Sequence, residues 1–284
     1  MASLKFVPKE ERQEQVVLAR QLESSANVQL HGATVTSLTL NGCDRLFLSE
    51  KAVFNNKKAI RGGIPVIFPQ FGPWDLGAQH GFARTTPWVL TDKQTDPKKE
   101  VLCTFELEDD LETRSIWNHK FKVKYTVALK KKNAVFDFSV TNTGLAKLEF
   151  TCLLHTYFRV DDIANVSITG LNGLEYVDKI RGGATFTEDR DLVTVGENYD
   201  RVYQQTPNKH EIRNTIDGAT IILEKNNFPD TVVWNPWAEK AKQMSDFGDD
   251  EYTKMICVEA GHVSTPVTLQ PEQTFFASQS IAVK

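Results

Sequence analysis

Phe121-Lys122-Val123-Lys124-Tyr125-Thr126-Val127-Ala128-Leu129 alternates apolar with mostly polar residues, and after the polar turn Lys130 to Asn133 the alternation resumes in Phe136-Asp137-Phe138-Ser139-Val140. Successive side chains of a strand point to opposite faces, so each run carries one face for a core and one for water. Together they read as neighbouring strands of an antiparallel meander. Outward from this pair the chain keeps giving strand and turn signals. Asn41-Gly42, between Ala33 to Leu40 and Leu46 to Ser49, tolerates the positive φ of a tight hairpin, and so does Asp217-Gly218, between Thr215-Ile216 and Ala219 to Leu223. Helical signals are few. Glu10 to Arg20 is charged without an apolar stripe. Asn235-Pro236-Trp237 offers a cap and a first-turn proline, with Trp237, Ala241 and Met244 following at helical spacing, and predicts one short helix. Many strands and one helix predict an all-β fold, a large antiparallel sandwich. No repeat, low-complexity tract or linker divides residues 1–284, so a single domain is expected.

The composition is that of an ordinary soluble globular protein, 40% hydrophobic and 25% charged. A net charge of -4 and a pI of 5.9 supply no positive field for nucleic acid. No apolar run approaches the roughly 20 residues of a membrane span, and the first residues lack the apolar stretch of a signal peptide. A cytoplasmic location, with neither nucleic-acid nor membrane partner, is expected. Cys43, Cys103, Cys152 and Cys257 are scattered with no Cys-x-x-Cys spacing, which argues against a zinc cage and for reduced thiols.

Three regions carry candidate chemistry. In His155-Thr156-Tyr157-Phe158-Arg159, a strand would turn an imidazole, a phenol and a guanidinium to one face and Thr156, Phe158 and Val160 to the core. The plainer reading is a hydrogen-bonded structural histidine, with Arg159 paired to Asp161 or Asp162. Glu259 follows the apolar Met255-Ile256-Cys257-Val258, where burial without a partner would push it toward its neutral form. It is either a site carboxylate or a sheet-edge acid paired with a lysine. His262, three residues on, is a second site histidine or a structural residue at the strand end.

The third region, from about Lys57 to Trp88, holds too many glycines and prolines for long regular structure, yet enough aromatics to pack as an ordered loop. Arg61-Gly62-Gly63 lacks the Gly-Lys-Ser/Thr ending of a nucleotide-binding loop, and its glycines could let the backbone approach a ligand. Arg61 and Arg84 bracket the loop and suit a phosphate, although both could be surface charges. Asp200 reads only as a loop or strand-start acid beside Arg201. Trp234 and Trp237 could stack on a sugar or fill the core.

Arg61-Gly62-Gly63-Ile64-Pro65, Gln79-His80-Gly81-Phe82-Ala83-Arg84, His155 to Arg159, Asp230 to Trp237 and Glu259-Ala260-Gly261-His262 together resemble the aldose 1-epimerase (galactose mutarotase-like) family, in its hexose-6-phosphate mutarotase branch. The resemblance spans nearly the whole chain. It implies the galactose mutarotase-like supersandwich and interconversion of the α and β anomers of an aldohexose 6-phosphate, with no metal or organic cofactor. His155 is similar to the family's general acid and Glu259 to its general base. Gln79, Arg84, Arg61 and Asp200 are similar to its substrate-binding residues, and His80 to a second histidine lining the sugar site. A small sugar phosphate is the implied partner and a monomer is expected. Ala260 stands where the family often has proline, a change of local stiffness more than of chemistry. For His155 to act as the acid near neutral pH it must be protonated, which a nearby carboxylate or phosphate would favour.

Other readings are a mutarotase of unphosphorylated aldoses, a non-catalytic carbohydrate-binding or sensing protein, and a cupin-like metal site of His80, His155 and Glu259. The last lacks the His-x-His spacing common in such sites, and the second is disfavoured by the presence of both His155 and Glu259.

Overall fold

A computed structural model describes residues 14–20, 23–96 and 100–284. Its strands form two eight-stranded sheets and one four-stranded sheet, and every strand pairing is antiparallel. The meander behaves as its alternation requires. Phe121–Leu129 pairs with Asn133–Asn142, and Phe121, Val123, Tyr125, Val127, Phe136, Phe138 and Val140 are all buried. On the outer face Lys122 and Lys124 reach across to Glu106, cross-strand pairs contributing roughly 0.2–1 kcal/mol each. Ala128, expected on the wetter face, is buried as well. The buried face of this sheet packs against Leu148, Phe150, Cys152 and Leu154 of the other large sheet, in one apolar cluster that draws from Val16 to Ile281.

The second large sheet positions the site. Its long strand Met255–Leu269 pairs with Asp230–Asn235 on one side and with Leu148–Leu154 and then Tyr157–Arg159 on the other. Beyond Asp230–Asn235 lie Tyr199–Tyr203 and Glu175–Asp178. Along Met255–Leu269, Ile256, Val258 and Ala260 face the main core, which leaves Cys257 and Glu259 on the opposite face.

Several local readings are corrected by this architecture. Asn41-Gly42 does turn with positive φ at both residues, but the returning strand is Cys43–Asp44 instead of Leu46 to Ser49. Asp217-Gly218 turns between Lys209–Arg213 and Ile221–Asn226, with Ile216–Gly218 in a 3-10 turn. Gln15–Arg20 is a strand, while residues 10–13 lie outside the described residues. The expected helix exists as Trp237–Ala241, with the Asn235 side chain accepting from the Trp237 N–H at 2.8 Å. A second helix, Leu111–Ile116, is closed by a capping box in which Asp110 accepts from the Thr113 N–H at 2.7 Å and Thr113 Oγ1 accepts from the Asp110 N–H at 2.9 Å. Cys103, Cys152 and Cys257 are buried free thiols and Cys43 is a half-buried one. Among the described residues no helix is long and apolar enough to cross a membrane.

Candidate active site

The loop expected between Lys57 and Trp88 is ordered around Phe68, Phe82 and Trp88, all buried, and lays its polar residues along the second sheet. Gly62 and Gly63 serve the backbone, not a ligand. A Cβ on Gly63 would stand 2.1 Å from the Val35 carbonyl oxygen, and one on Gly62 2.5 Å from that of Phe47. This close approach lets the Gly63 and Pro65 carbonyls accept from the N–H groups of Tyr157 at 2.9 Å and His155 at 3.0 Å. His155 therefore sits in the gap between Leu148–Leu154 and Tyr157–Arg159, held by the loop and not by a strand partner.

Arg61, Gln79, His80, Arg84, His155, Asp200 and Glu259 line one cleft of about 440 Å³ on the sheet face turned away from the main core. The apolar cluster Ile67, Leu153, Val202 and Val232 lies beneath it. Arg159, expected on the same face, is exposed at the end of Tyr157–Arg159 and lines a different groove with Asp44 and Lys254. Among the described residues it forms no ion pair with Asp161 or Asp162. Glu259 lies inside its strand opposite Val232, not at a strand end, and His262 lies farther along the same strand, its Nδ1 2.8 Å from the Thr265 carbonyl. Trp234 lines the cleft, whereas Trp237 packs on Tyr252 at the core's edge.

The His155 ring stacks on Tyr157, with centroids 4.7 Å apart and planes 12° apart, and meets Trp234 and His80 edge-on at 6.0 Å. These contacts fix the ring with its Nδ1 3.4 Å from Glu259 Oε1. The alignment is not that of a hydrogen bond: His155 Nδ1 and both Glu259 carboxylate oxygens are buried without a partner in the protein, and so are the Nε atoms of Arg61 and Arg84. Unsatisfied buried polar atoms are rare and costly, so their concentration on four residues of one cleft marks a place prepared for a polar ligand.

Charge is arranged in two groups. Arg61 donates to Tyr157 Oη at 3.0 Å and pairs with Asp246 at 3.3 Å. Burial pulls its guanidinium down, but Tyr157 and Asp246 outweigh that and hold it above its usual range. Burial, with repulsion from Arg61, draws Arg84 down to about 10, so it stays charged at neutral pH, and its Nη2 donates to the Gln79 carbonyl at 2.8 Å. His80, in a positive-φ turn, accepts from the Gly72 N–H at Nδ1 at 3.2 Å. Its Nε2 lies 3.3 Å from the Gln79 amide nitrogen, and burial followed by Arg84, Lys179 and Arg61 pushes His80 down to about 3.

Burial, then His80, Arg84 and Arg61, holds His155 well below its ordinary value. Burial, then Asp200, raises Glu259 well above the usual carboxylate range, against the pull of Lys179 and Arg84. Burial also raises Asp200. Burial thus favours the neutral form of both the imidazole and the adjoining carboxyl, against the protonated state His155 needs to act as the acid.

Donor atoms of His155, Cys257 and Glu259 lie within 4.8 Å of one another. His155 Nδ1 and Glu259 Oε1, 3.4 Å apart, have a spacing that tetrahedral metal donors also have, so the chemistry of the set decides. Burial raises the Cys257 thiol, and Arg61 and Arg84 bring positive charge to the same cleft. The set does not fit a resident cation. Lys179 and Phe71 complete the wall next to Asp200, and no local sequence signal points to them.

The sequence profile of the aldose 1-epimerase family matches residues 14–282. A protein of Cenchrus ciliaris, provisionally named a glucose-6-phosphate 1-epimerase, is 39% identical over 269 residues, covering 91% of this chain and 81% of its own length. One of Escherichia coli with the same provisional name is 33% identical, covering 91% and 86%. The crystal structure of a protein from Salmonella typhimurium, described provisionally as a mutarotase, superposes with a TM-score of 0.87 at 30% identity, over 95% of this chain and 90% of that one. An all-β sandwich of this shape, carrying an imidazole and a carboxyl in one polar cleft and matched over nearly its whole length, belongs to the aldose 1-epimerase family and is an isomerase, a mutarotase of sugars.

Proposed function

We propose that the substrate is an aldohexose 6-phosphate, glucose 6-phosphate foremost, with His155 and Glu259 as the proton-transfer pair. The observation that carries the phosphate is the side on which the positive charge lies. In a pyranose, C6 branches from the carbon bonded to the ring oxygen, so a 6-phosphate lies on the ring-oxygen side of the anomeric centre. The group that serves the ring oxygen must then stand beside the phosphate-binding cations. His155 is the one acted on by both Arg61 and Arg84, whose Nε donors are unpaired, while Glu259 feels Asp200 and Lys179 first and, of the two guanidiniums, Arg84 alone. The provisional names of the plant and bacterial relatives agree with this substrate.

In the proposed reaction Glu259 takes the proton of the anomeric hydroxyl while His155 delivers one to the ring oxygen. The ring opens to an aldehyde, rotation about C1–C2 presents the other carbonyl face, and the same groups run in reverse. Each positioned transfer group contributes about 10²–10⁴ in rate. The ionised pair the reaction needs and the neutral pair that burial favours contain the same number of protons, so one proton moved across the 3.4 Å between His155 Nδ1 and Glu259 Oε1 converts one into the other. A phosphate dianion beside Arg61 and Arg84 cancels the positive field on His155 and favours that transfer.

The test is anomer exchange on glucose 6-phosphate and on free glucose, followed by NMR in wild type, Arg61→Ala and Arg84→Ala. A charge-assisted hydrogen bond contributes roughly 1.5–3 kcal/mol, so each variant is expected to lose about 10- to 150-fold in kcat/KM on the phosphorylated sugar and little on the free one. The double variant need not be additive, since both groups share one ligand. Equal losses on the two sugars would leave a mutarotase of unphosphorylated aldoses.

A further inference from the structure

We propose that Lys179 is a specificity-determining residue that reads the sugar hydroxyls next to the anomeric carbon, at C2 and C3, in partnership with Asp200. The proposal rests on the reading of His155 and Glu259 as the proton-transfer pair, and not on the phosphate.

Lys179 follows the strand Glu175–Asp178 and lines the cleft, half-buried. Its backbone N–H donates to the Asp200 carbonyl at 2.9 Å, which sets the two residues side by side on neighbouring strands. The ammonium lies 3.9 Å from the centroid of the Phe71 ring. Among the described residues no hydrogen bond or ion pair takes up its Nζ, in contrast to Lys122, whose Nζ reaches both Glu106 and Glu108. An aromatic face stabilises a cation without using its N–H donors in directed bonds. Lys179 therefore holds a charged donor over the cleft, anchored by an aromatic ring and uncommitted to a protein acceptor.

Its place along the substrate follows from ring geometry. From the anomeric carbon, one direction round a pyranose leads through the ring oxygen to C5 and C6, the other to C2 and C3. Arg61 donates to Tyr157 Oη, and Tyr157 stacks on His155, which puts Arg61 on the ring-oxygen side. Asp200 lies in Tyr199–Tyr203, with Lys179 directly after the neighbouring Glu175–Asp178, and both strands lie beyond Asp230–Asn235, on the side of Glu259 away from the strands that flank His155. A donor and an acceptor fixed together there can bind a vicinal pair of hydroxyls, each of which both donates and accepts. This pairing explains why an unpaired lysine and a half-buried aspartate share a wall without an ion pair between them.

The test uses Lys179→Met, which keeps an unbranched apolar stem against Phe71 and removes the charge. Anomer exchange is measured on glucose 6-phosphate, its 2-deoxy and 3-deoxy analogues, and free glucose. Expected is a loss of about 10-fold or more in kcat/KM on glucose 6-phosphate, a similar loss on free glucose, and little loss on at least one deoxy analogue, because the contact is already absent there. Equal loss on all three sugar phosphates would make Lys179 an electrostatic or structural support of Glu259 and overturn the proposal. A loss confined to phosphorylated sugars would make it a phosphate ligand and overturn it equally. If wild type works only on free sugars, the same comparison with 2-deoxyglucose and 3-deoxyglucose still decides the matter, so failure of the phosphate reading is distinguishable from failure of this one.

Discussion

The strand Tyr199–Tyr203 separates two buried ionic clusters that obey opposite rules. On the core side, Arg201 donates to Asp178 at 3.1 Å, to Tyr199 Oη at 2.9 Å and to Glu197 at 3.3 Å. Glu188 accepts from Tyr203 at 2.8 Å and twice from Arg190 at 2.7 Å, and Asp178 also caps the N–H groups of Ile180 and Arg181. None of the carboxylate or guanidinium atoms of Arg201, Asp178 or Glu188 is left buried and unpaired. On the cleft side, Asp200 lines the same wall region as Glu259 and His155, and both Glu259 carboxylate oxygens and His155 Nδ1 are buried without a partner in the protein. Burying ionisable groups without compensation costs free energy on both sides. On one side the protein offsets the cost itself, and on the other it leaves the offset to a ligand.

The largest expected effects separate the two clusters by what is lost. His155→Asn and Glu259→Gln should fold normally and lose about 10²–10⁴ of the anomer-exchange rate, as positioned proton-transfer groups do. Near wild-type exchange in either would remove that residue from the chemistry. Arg201→Met should do the reverse. Removing one partner of a buried ion pair typically costs about 3–5 kcal/mol, so chemical denaturation should show a loss of that order, with kcat of the folded fraction changed little. A variant that kept its stability but lost its rate would show that the paired cluster belongs to the site.

These clusters were not equally legible in the sequence. The meander, and with it the sheet that closes the core, follows from the alternation of Phe121 to Leu129, because burial of one strand face is a local pattern. Leu111–Ile116 was also within reach, since Asp110 and Thr113 carry the spacing of a capping box. His155 and Glu259 stand out as polar residues beside apolar runs, and Arg159 misleads because nothing local announces that its end of the strand borders a different groove. Lys179 and Phe71 are invisible for a different reason. They become site residues only when Glu175–Asp178 pairs with Tyr199–Tyr203 and the loop folds over both. Charge states are the least legible, because desolvation is a property of the assembled cleft.

A pH profile sharpens the comparison at intermediate effect. Because His155 is held below and Glu259 above its ordinary value, the pair keeps one shared proton through neutrality. The profile of kcat/KM on free sugar, where no substrate phosphate titrates, should therefore be nearly flat from about pH 8 to about pH 6. An imidazole near its ordinary value of about 6.5 that had to be protonated first would give a rise of about 25-fold over that span. Such a rise would show that His155 draws its proton from solvent and not from Glu259.

The smallest effect tests whether the unpaired carboxyl is a burden on the fold. Glu259 is raised in the folded protein, so between the unfolded value of about 4.5 and the folded one the unfolded chain has released a proton that the native state still holds. Stability then falls as pH rises through that window. Glu259→Gln removes the ionisable group and with it this part of the pH dependence. His155 has the opposite sign, losing stability as pH falls below about 6.5, so the comparison belongs between about pH 6.5 and 8. There the Tm of Glu259→Gln should exceed that of wild type by a margin that widens with pH, about 2–4 °C for each kcal/mol removed. The gain in stability would accompany the loss of rate predicted for the same substitution, as expected where function depends on a strained site. A constant or shrinking margin would mean that Glu259 finds its compensation inside the folded protein, and the contrast with the Arg201 cluster would then fail.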